Sequence, residues 1–243
     1  MRVKLTLEYD GANYCGWQWQ PAQDSIQARL EAALARILSQ PVRVRAAGRT
    51  DAGVHAAGQV AAFDLPREFA LDELARALNA ILPADIAVRA ADAAPDNFDP
   101  RRDARARVYE YHILNQAVRS AFAYRYAWLV RDPLDTTALE SAAHAFLGEH
   151  DFAAFRSIGS EEKSTIRRIY RSAWGADGLR LIYTVEATAF LRHMVRTMVG
   201  AMVEVGRGRM DCDALIALIE SRDRARAPAS APACGLFLTA VRY

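Results

Sequence analysis

The chain has 243 residues, with 31 Lys and Arg against 29 Asp and Glu, a formal net charge of +2. With 52% hydrophobic and 25% charged residues, it has the composition of an ordinary soluble globular protein that needs no disulfides to fold. Its three cysteines are an odd number, lie far apart and include no C-x-x-C pair, so the sequence supports neither a disulfide framework nor a zinc knuckle.

The N-terminal sequence MRVKLTLEYDG alternates apolar and polar residues and lacks the apolar core of a secretory signal. No apolar run approaches the ~20 residues that a membrane span needs. Together with the cysteine pattern, these features predict a protein of the reducing cytoplasm with no membrane partner.

Hydrophobic periodicity predicts the element order βαββαβ in the first half of the chain. The first helix is predicted to have Asp24 as its N-cap, with Gln27 three residues later and an apolar stripe that continues to Leu38. The second helix is predicted over 71–81 and stops before Pro83. The predicted strands cover 2–9, 42–46, 58–64 and 86–93.

The second half repeats this order with one added helix, and its first helix has Asp135 as a candidate N-cap. Gly175, Asp177 and Gly178 predict a hairpin turn. The predicted strands cover 105–115, 165–175, 179–187 and 236–242, and the predicted helices cover 136–147, 190–205 and 212–221. The order predicts an α+β protein of two ferredoxin-like halves, 1–98 and 99–243, with antiparallel sheets side by side and a central cleft.

Positive charge is concentrated in the middle of the chain. Residues 100–131 contain seven arginines against two acidic residues, and residues 156–171 contain five basic residues against two acidic ones. This distribution is typical of a surface that faces phosphates. A solvated face with ordinary salt bridges is the alternative.

The string AAGRTDAGVHAAG at 46–58 places basic, acidic and imidazole side chains among glycines, and such a loop can approach a ligand closely. Asp51 and His55 are four residues apart and could be metal ligands, but no second ligand pair follows at zinc spacing. The string also lacks the two common phosphate-loop patterns. The remaining alternative is a turn in which Asp51 accepts backbone N–H groups.

The segment GRTDAGVHA resembles the catalytic loop of the tRNA pseudouridine synthase A family, and other blocks resemble that family in the same order. These blocks are YDGANYCGWQ, DSIQARLEAAL, ARARVYEYHI, HDFAAFR, TIRRI, FLRHMVRTMVGAMVEVG and APACGLFL, between residues 9 and 238. One segment departs from the family: where the family commonly has F-H-A-R-F, this chain has FDPRR at 98–102.

The resemblance implies an isomerase that converts uridine to pseudouridine at positions 38, 39 and 40 of the tRNA anticodon stem-loop. Asp51 corresponds to the family's nucleophile, and Arg196 to the arginine that pairs with it, since an arginine favours the charged form of a carboxylate. Tyr109 corresponds to the tyrosine that stacks on the base and is a candidate for taking the C5 proton.

Two further residues are implied in substrate binding. Leu236 resembles an apolar residue against the base, and Arg49 matches an arginine implicated in flipping the uridine out of its stack. His55 and His193 are interpreted as structural hydrogen-bonding residues. The resemblance implies a homodimer, no cofactor and no metal.

Two alternatives belong to other functional classes. One is a non-catalytic RNA-binding protein made of tandem ferredoxin-like modules, for which a carboxylate in a glycine-rich loop facing RNA would have no purpose. The other is a metal-dependent hydrolase that uses Asp51 and His55, which a chelator would inactivate.

Overall fold

The computed structural model describes residues 1–159 and 164–243, and these form a mixed α/β protein with five α-helices and ten strands. Two compact units are present. Unit 1 comprises Met1–Arg105 and Phe237–Tyr243, and unit 2 comprises Ala106–Leu236. The basic segment at 156–171 is only partly covered, because Glu161, Glu162 and Lys163 lie outside the described residues.

Unit 1 contains two helices over a sheet in which β4, β1 and β3 are antiparallel and β10 runs parallel to β3. The short strand β2 pairs with the other part of β3. The elements are β1 (Arg2–Tyr9), α1 (Ile26–Leu38), β2 (Arg45–Ala46), β3 (His55–Asp64), α2 (Leu71–Ile81), β4 (Ile86–Ala94) and β10 (Leu236–Arg242), of which the first residue, Leu236, belongs to unit 2.

The core of unit 1 follows from the sequence periodicity. The alternate residues Val3, Leu5, Leu7 and Tyr9 of β1 are buried, as a strand with one covered face requires. On α1, the stripe that begins at Ile26 is buried in the same way. The apolar faces that the periodicity predicts for β1 and α1 are therefore the buried ones.

The predicted N-cap of α1 is wrong by one residue. The cap is Ser25, whose Oγ accepts a hydrogen bond from Ala28 N at 3.3 Å. Asp24 instead forms an ion pair with Arg29. Serine and aspartate are both good caps. The residue that caps the helix is the one whose side-chain oxygen reaches a backbone N–H of the first helical turn.

Unit 2 contains three helices and a sheet with the antiparallel order β5, β9, β8, β7, while β6 pairs in parallel with β5. The elements are β5 (Ala106–Asn115), β6 (Trp128–Val130), α3 (Thr136–His144), β7 (Gly148–Asp151), β8 (Ile166–Asp177), β9 (Arg180–Ala187), α4 (Met194–Gly206) and α5 (Cys212–Ser221). Asp135 is confirmed as the N-cap of α3, since its Oδ1 accepts from Ala138 N at 3.0 Å.

Two predicted helix bounds in unit 2 are wrong. The helix predicted from 190 begins at Met194, because His193 has a left-handed backbone with φ of 65° that does not continue a helix. The helix predicted to 147 ends at His144, before Gly148 with φ of 96° opens β7. The short strands β6 and β7 are not among the strands predicted from the sequence.

The two compact units differ from the predicted division into 1–98 and 99–243 at two segments. Residues 99–105 and 237–243 both belong to unit 1. The physical reason is that Phe237 and Leu238 of β10 pair with β3, while Arg105 N donates to Arg242 O at 2.8 Å. No helix in the described part of the chain is long and apolar enough to cross a membrane.

Candidate active site

The loop between β2 and β3 that carries Asp51 has a fixed backbone. Trp17 N donates to Thr50 O at 3.0 Å, Val54 N donates to Asp51 O at 3.1 Å, and Asp51 forms an isolated antiparallel bridge with Gly16. These contacts hold both sides of the aspartate. The Asp51 backbone is therefore defined by the N-terminal segment after β1 as well as by its own loop.

The segment after β1 can lie this close to the Asp51 loop only because residue 16 is a glycine. Its φ is 104°, and a Cβ added there would lie 2.5 Å from Thr50 O. Because the contact is with backbone, a side chain could be accommodated only by moving the loop.

A buried polar network supports the loop from the core side. The hydroxyls of Tyr9 and Thr50 are 2.8 Å apart, and Gln59 Nε2 donates to Tyr9 Oη at 3.3 Å and to Gly48 O at 2.9 Å. Burial raises the pKa of Tyr9 to about 12, although the hydrogen bonds to Thr50 and Gln59 act in the opposite direction. The network links β1 and β3 to the residues on either side of Arg49.

Exposure alternates along the loop. Arg49 is exposed, Thr50 is buried in the network, and Asp51 is half-buried. The alternation directs Thr50 into the protein and leaves the flanking charged residues within reach of solvent. A ligand at the surface of unit 1 can therefore contact Arg49 and Asp51 together.

His55 lies at the start of β3 and is buried. Its Nδ1 is 3.0 Å from Asp10 Oδ1 and 3.1 Å from Gly11 N, and its ring stacks on Phe237 with centroids 4.7 Å apart. It connects β3 to the segment after β1 and to β10. This is a structural, hydrogen-bonding position, as the sequence analysis interpreted His55.

The segment that departs from the family pattern forms a tight turn in unit 1. Asp99 Oδ1 accepts from Arg101 N at 2.9 Å and from Arg102 N at 3.0 Å. Burial raises the pKa of Asp99, but these N–H groups and nearby arginine charges outweigh that effect and lower it. Tyr243 donates to Pro100 O at 2.9 Å, so the turn is also fixed to the end of β10.

In unit 2, Tyr109 lies on β5 opposite Val185 of β9. Its ring is buried and packs edge-on against Phe190, with centroids 5.0 Å apart and an interplanar angle of 82°. Such edge-to-face contact restricts the orientation of the ring. Phe190 was not predicted as a site residue, because its position beside Tyr109 arises from the pairing of β5 with β9.

Arg196 lies in the first turn of α4 and is half-buried. Its Nε donates to Ala231 O at 2.7 Å, and Ala231 N donates back to Arg196 O at 2.9 Å. The pKa of Tyr111 is raised well above its usual value by burial, and the charge of Arg196 opposes this shift. The guanidinium is therefore oriented by the segment around Ala231 and lies within electrostatic reach of Tyr111.

Leu236 is buried and begins β10 after a short 3-10 turn. The segment before it is held by Tyr111, whose hydroxyl donates to Pro232 O at 2.8 Å. A Cβ at Gly235 would lie 2.7 Å from Tyr111 Cζ. Thus Tyr111 and Arg196 both fix the segment that leads to Leu236.

The predicted site residues are therefore divided between the units. Arg49 and Asp51 lie in unit 1, and Tyr109, Arg196 and Leu236 lie in unit 2. Among the residues described, no group of three His, Cys, Asp or Glu side chains is arranged to hold a metal ion.

Comparison with known proteins identifies the family. The family model described as tRNA pseudouridine synthase matches residues 6–102 and 142–243. Those ranges include Asp51 and Arg196, and the chain belongs to the tRNA pseudouridine synthase family.

Curated relatives match over nearly the whole chain. The tRNA pseudouridine synthase A of Pelobacter propionicus is 48% identical over 99% of this chain and 99% of its own length. The proteins of that name from Geobacter sulfurreducens and Myxococcus xanthus are 47% and 46% identical, over 99% and 100% of this chain and 99% and 92% of their own lengths. The predicted class is confirmed: the chain is an isomerase that acts on tRNA and converts uridine to pseudouridine.

Proposed function

We propose that the chain modifies uridines 38, 39 and 40 of the anticodon stem-loop and that Asp51 is the nucleophile. The observation that supports the role of Asp51 is its fixed loop: Val54 N and the bridge to Gly16 hold the Asp51 backbone, and the half-buried aspartate lies two residues from the exposed Arg49. A carboxylate held in this way can meet a substrate without reorganisation of the loop.

The isomerisation needs only side-chain groups of the protein, because it rearranges bonds within one nucleotide. The C1′–N1 bond of uridine breaks, a C1′–C5 bond forms, the proton leaves C5, and the former N1 ends with a proton. Asp51 attacks C1′ in one route and assists a glycal route in the other. Both routes need Asp51 as a carboxylate, and neither changes the oxidation state of the nucleotide.

The other site residues receive the roles that the resemblance implies. Tyr109 stacks on the detached uracil and is the candidate acceptor of the C5 proton, and its contact with Phe190 fixes the ring for that purpose. Leu236 supplies an apolar contact to the base. Arg196 keeps the carboxylate of the nucleophile charged, and Arg49 assists base flipping.

The proposal also covers the fold type of the two units, the assembly and location of the enzyme, and its need for a cofactor or metal. Each unit has a largely antiparallel sheet with helices, and we assign both units to the ferredoxin-like type. The active species is a cytoplasmic homodimer. It requires no cofactor and no metal, so EDTA is expected to leave turnover unchanged once the RNA is folded.

The nucleophile is tested with tRNA transcripts labelled with tritium at uracil C5. We expect Asp51→Asn to lower tritium release by at least about a thousandfold while tRNA binding is kept, because the variant loses only the nucleophile. Asp96→Asn is the matched control, since Asp96 is exposed in the same unit. A fully active Asp51→Asn variant would refute the assignment.

The target positions are tested with the wild-type enzyme. Transcripts in which uridines 38, 39 and 40 are replaced by cytidine, while every other uridine is kept, are expected to release no tritium. Undiminished release from such a transcript would place the modified uridine elsewhere in the tRNA and leave the role of Asp51 intact.

A further inference from the structure

The loop between β5 and β6, residues 116–127, carries large apolar side chains that face solvent. Val118, Phe122 and Tyr124 are 73%, 92% and 61% exposed. Single exposed apolar residues are common, but several on one loop mark a surface that contacts another molecule. Most of the surface of each of these side chains is left uncovered by the fold of unit 2.

This loop has defined internal contacts. At its base, Asn115 Nδ2 donates to Val130 O at 3.0 Å and to Asp132 O at 2.7 Å. Near its tip, Ser120 Oγ accepts from the backbone N–H groups of Phe122 and Ala123. The backbone is therefore held while the aromatic rings remain outside, and a partner that binds them need not order the loop first.

The charge of the loop selects the kind of partner. Residues 116–131 contain three arginines and no Asp or Glu, and Arg119 is exposed. Proteins bind single-stranded nucleic acid with this pairing of arginine for the phosphates and aromatic rings for the bases. A purely apolar interface between proteins would have no need for three arginines in a segment that contains no acidic residue.

We propose that residues 116–127 form a second contact with the tRNA, in which an unpaired base stacks on Phe122 and Arg119 binds a phosphate. The base is a different one from the uridine that reacts, since Phe122 lies at the surface whereas Tyr109 is buried. The proposal rests on the proposed function only in taking tRNA as the bound RNA.

Two substitutions at Phe122 separate stacking from apolar contact. Phe122→Leu keeps an apolar side chain and removes the ring, so we expect the tRNA Kd to rise about tenfold in filter binding at fixed salt. Phe122→Trp keeps a ring and should bind like the wild type. Leu179→Ala is the control, because Leu179 is 64% exposed in the β8–β9 turn of the same unit.

The phosphate contact is tested by salt dependence. Arg119→Gln should reduce the slope of log Kd against log salt concentration by about one, the loss of a single phosphate contact. An unchanged slope would remove Arg119 from the proposed contact.

Other outcomes overturn the proposal. A wild-type Kd for Phe122→Leu would exclude stacking at this loop. A lower molar mass for Phe122→Leu in light scattering would assign the surface to a second copy of the chain instead.

If the wild type binds tRNA with this dependence on Phe122 but releases no tritium, the proposed function fails and the loop contact stands.

Discussion

At the scale of single residues, the Tyr9 hydroxyl couples the core of unit 1 to the Asp51 loop through Thr50 and Gln59. We expect Tyr9→Phe to lower kcat about tenfold with tRNA Kd unchanged, because a displacement of the nucleophile by a fraction of an ångström slows the chemical step more than binding. The free energy of unfolding should fall by about 1 kcal/mol, the usual loss for one buried hydrogen bond.

Tyr183→Phe is the matched control for this prediction. Tyr183 is also fully buried, and its hydroxyl is 2.7 Å from Ser172 Oγ in unit 2. A similar loss of stability with an unchanged kcat is expected, as measured by urea unfolding and tritium release. If Tyr183→Phe slowed turnover as much as Tyr9→Phe, loss of general stability would account for both effects.

Tyr9 also makes stability depend on pH. Its pKa is about 12 in the folded protein against 10.0 for the free side chain, because burial disfavours the phenolate. A raised pKa contributes stability that is complete below pH 10 and is lost as pH rises from 10 to 12. Between pH 7 and pH 11, the wild type should therefore lose about 1 kcal/mol more than Tyr9→Phe in urea unfolding. Equal losses in the two proteins would contradict the raised pKa.

At the scale of secondary-structure elements, α4 approaches the segment at 229–231 so closely that its central glycine is essential. A Cβ at Gly200 would lie 2.2 Å from Ala229 O. Gly→Ala in a helix normally stabilises by up to about 1 kcal/mol, but here we expect a loss of about 1–3 kcal/mol from overpacking against backbone. Urea unfolding of Gly200→Ala measures the sign directly.

Gly206 of the same helix provides the comparison. A Cβ there would meet the end of the Leu139 side chain at 2.9 Å, and a side chain can rotate away where a carbonyl cannot. Gly206→Ala should therefore cost less than Gly200→Ala. The reverse order would show that the segment at 229–231 moves easily, and with it the carbonyl that binds Arg196.

Elements with strong periodicity could be predicted from the sequence, and short ones could not. The bounds of β1, α2 and α5 agree with prediction because their apolar residues repeat at strand or helix spacing over 8–11 residues. The strands β6 and β7 have only three and four residues, too few to show a period. The start of α4 was missed because the backbone of His193 depends on its surroundings rather than on local propensity.

The same contrast applies to the site. Glycines and charged residues make the Asp51 loop visible in the sequence, and its resemblance to the family gives the loop a role. Gln59 carries no such signal, because in the sequence it is a single polar residue within β3. Its hydrogen bonds to Tyr9 and Gly48 form only when the folded chain brings these residues beside β3. The catalytic roles of Asp51, Tyr109 and Arg196 stay predictions.

At the scale of the whole molecule, the proposed homodimer predicts a particle of about twice the chain mass of 26.9 kDa. Size-exclusion chromatography with light scattering at micromolar concentration should give about 54 kDa, with the same value in the presence and absence of EDTA. A mass near 27 kDa over this range would exclude the dimer as the active species.

The return of β10 to unit 1 has a consequence for biosynthesis. Phe237 and Leu238 pair with the start of β3, where Phe237 also covers His55, yet these residues leave the ribosome after the whole of unit 2. A nascent chain that has completed residues 1–105 still lacks one strand of that sheet. The strand that covers His55, four residues from Asp51, therefore becomes available only after the whole of unit 2 has been synthesised, and the sheet that supports the Asp51 loop is completed long after residues 1–105.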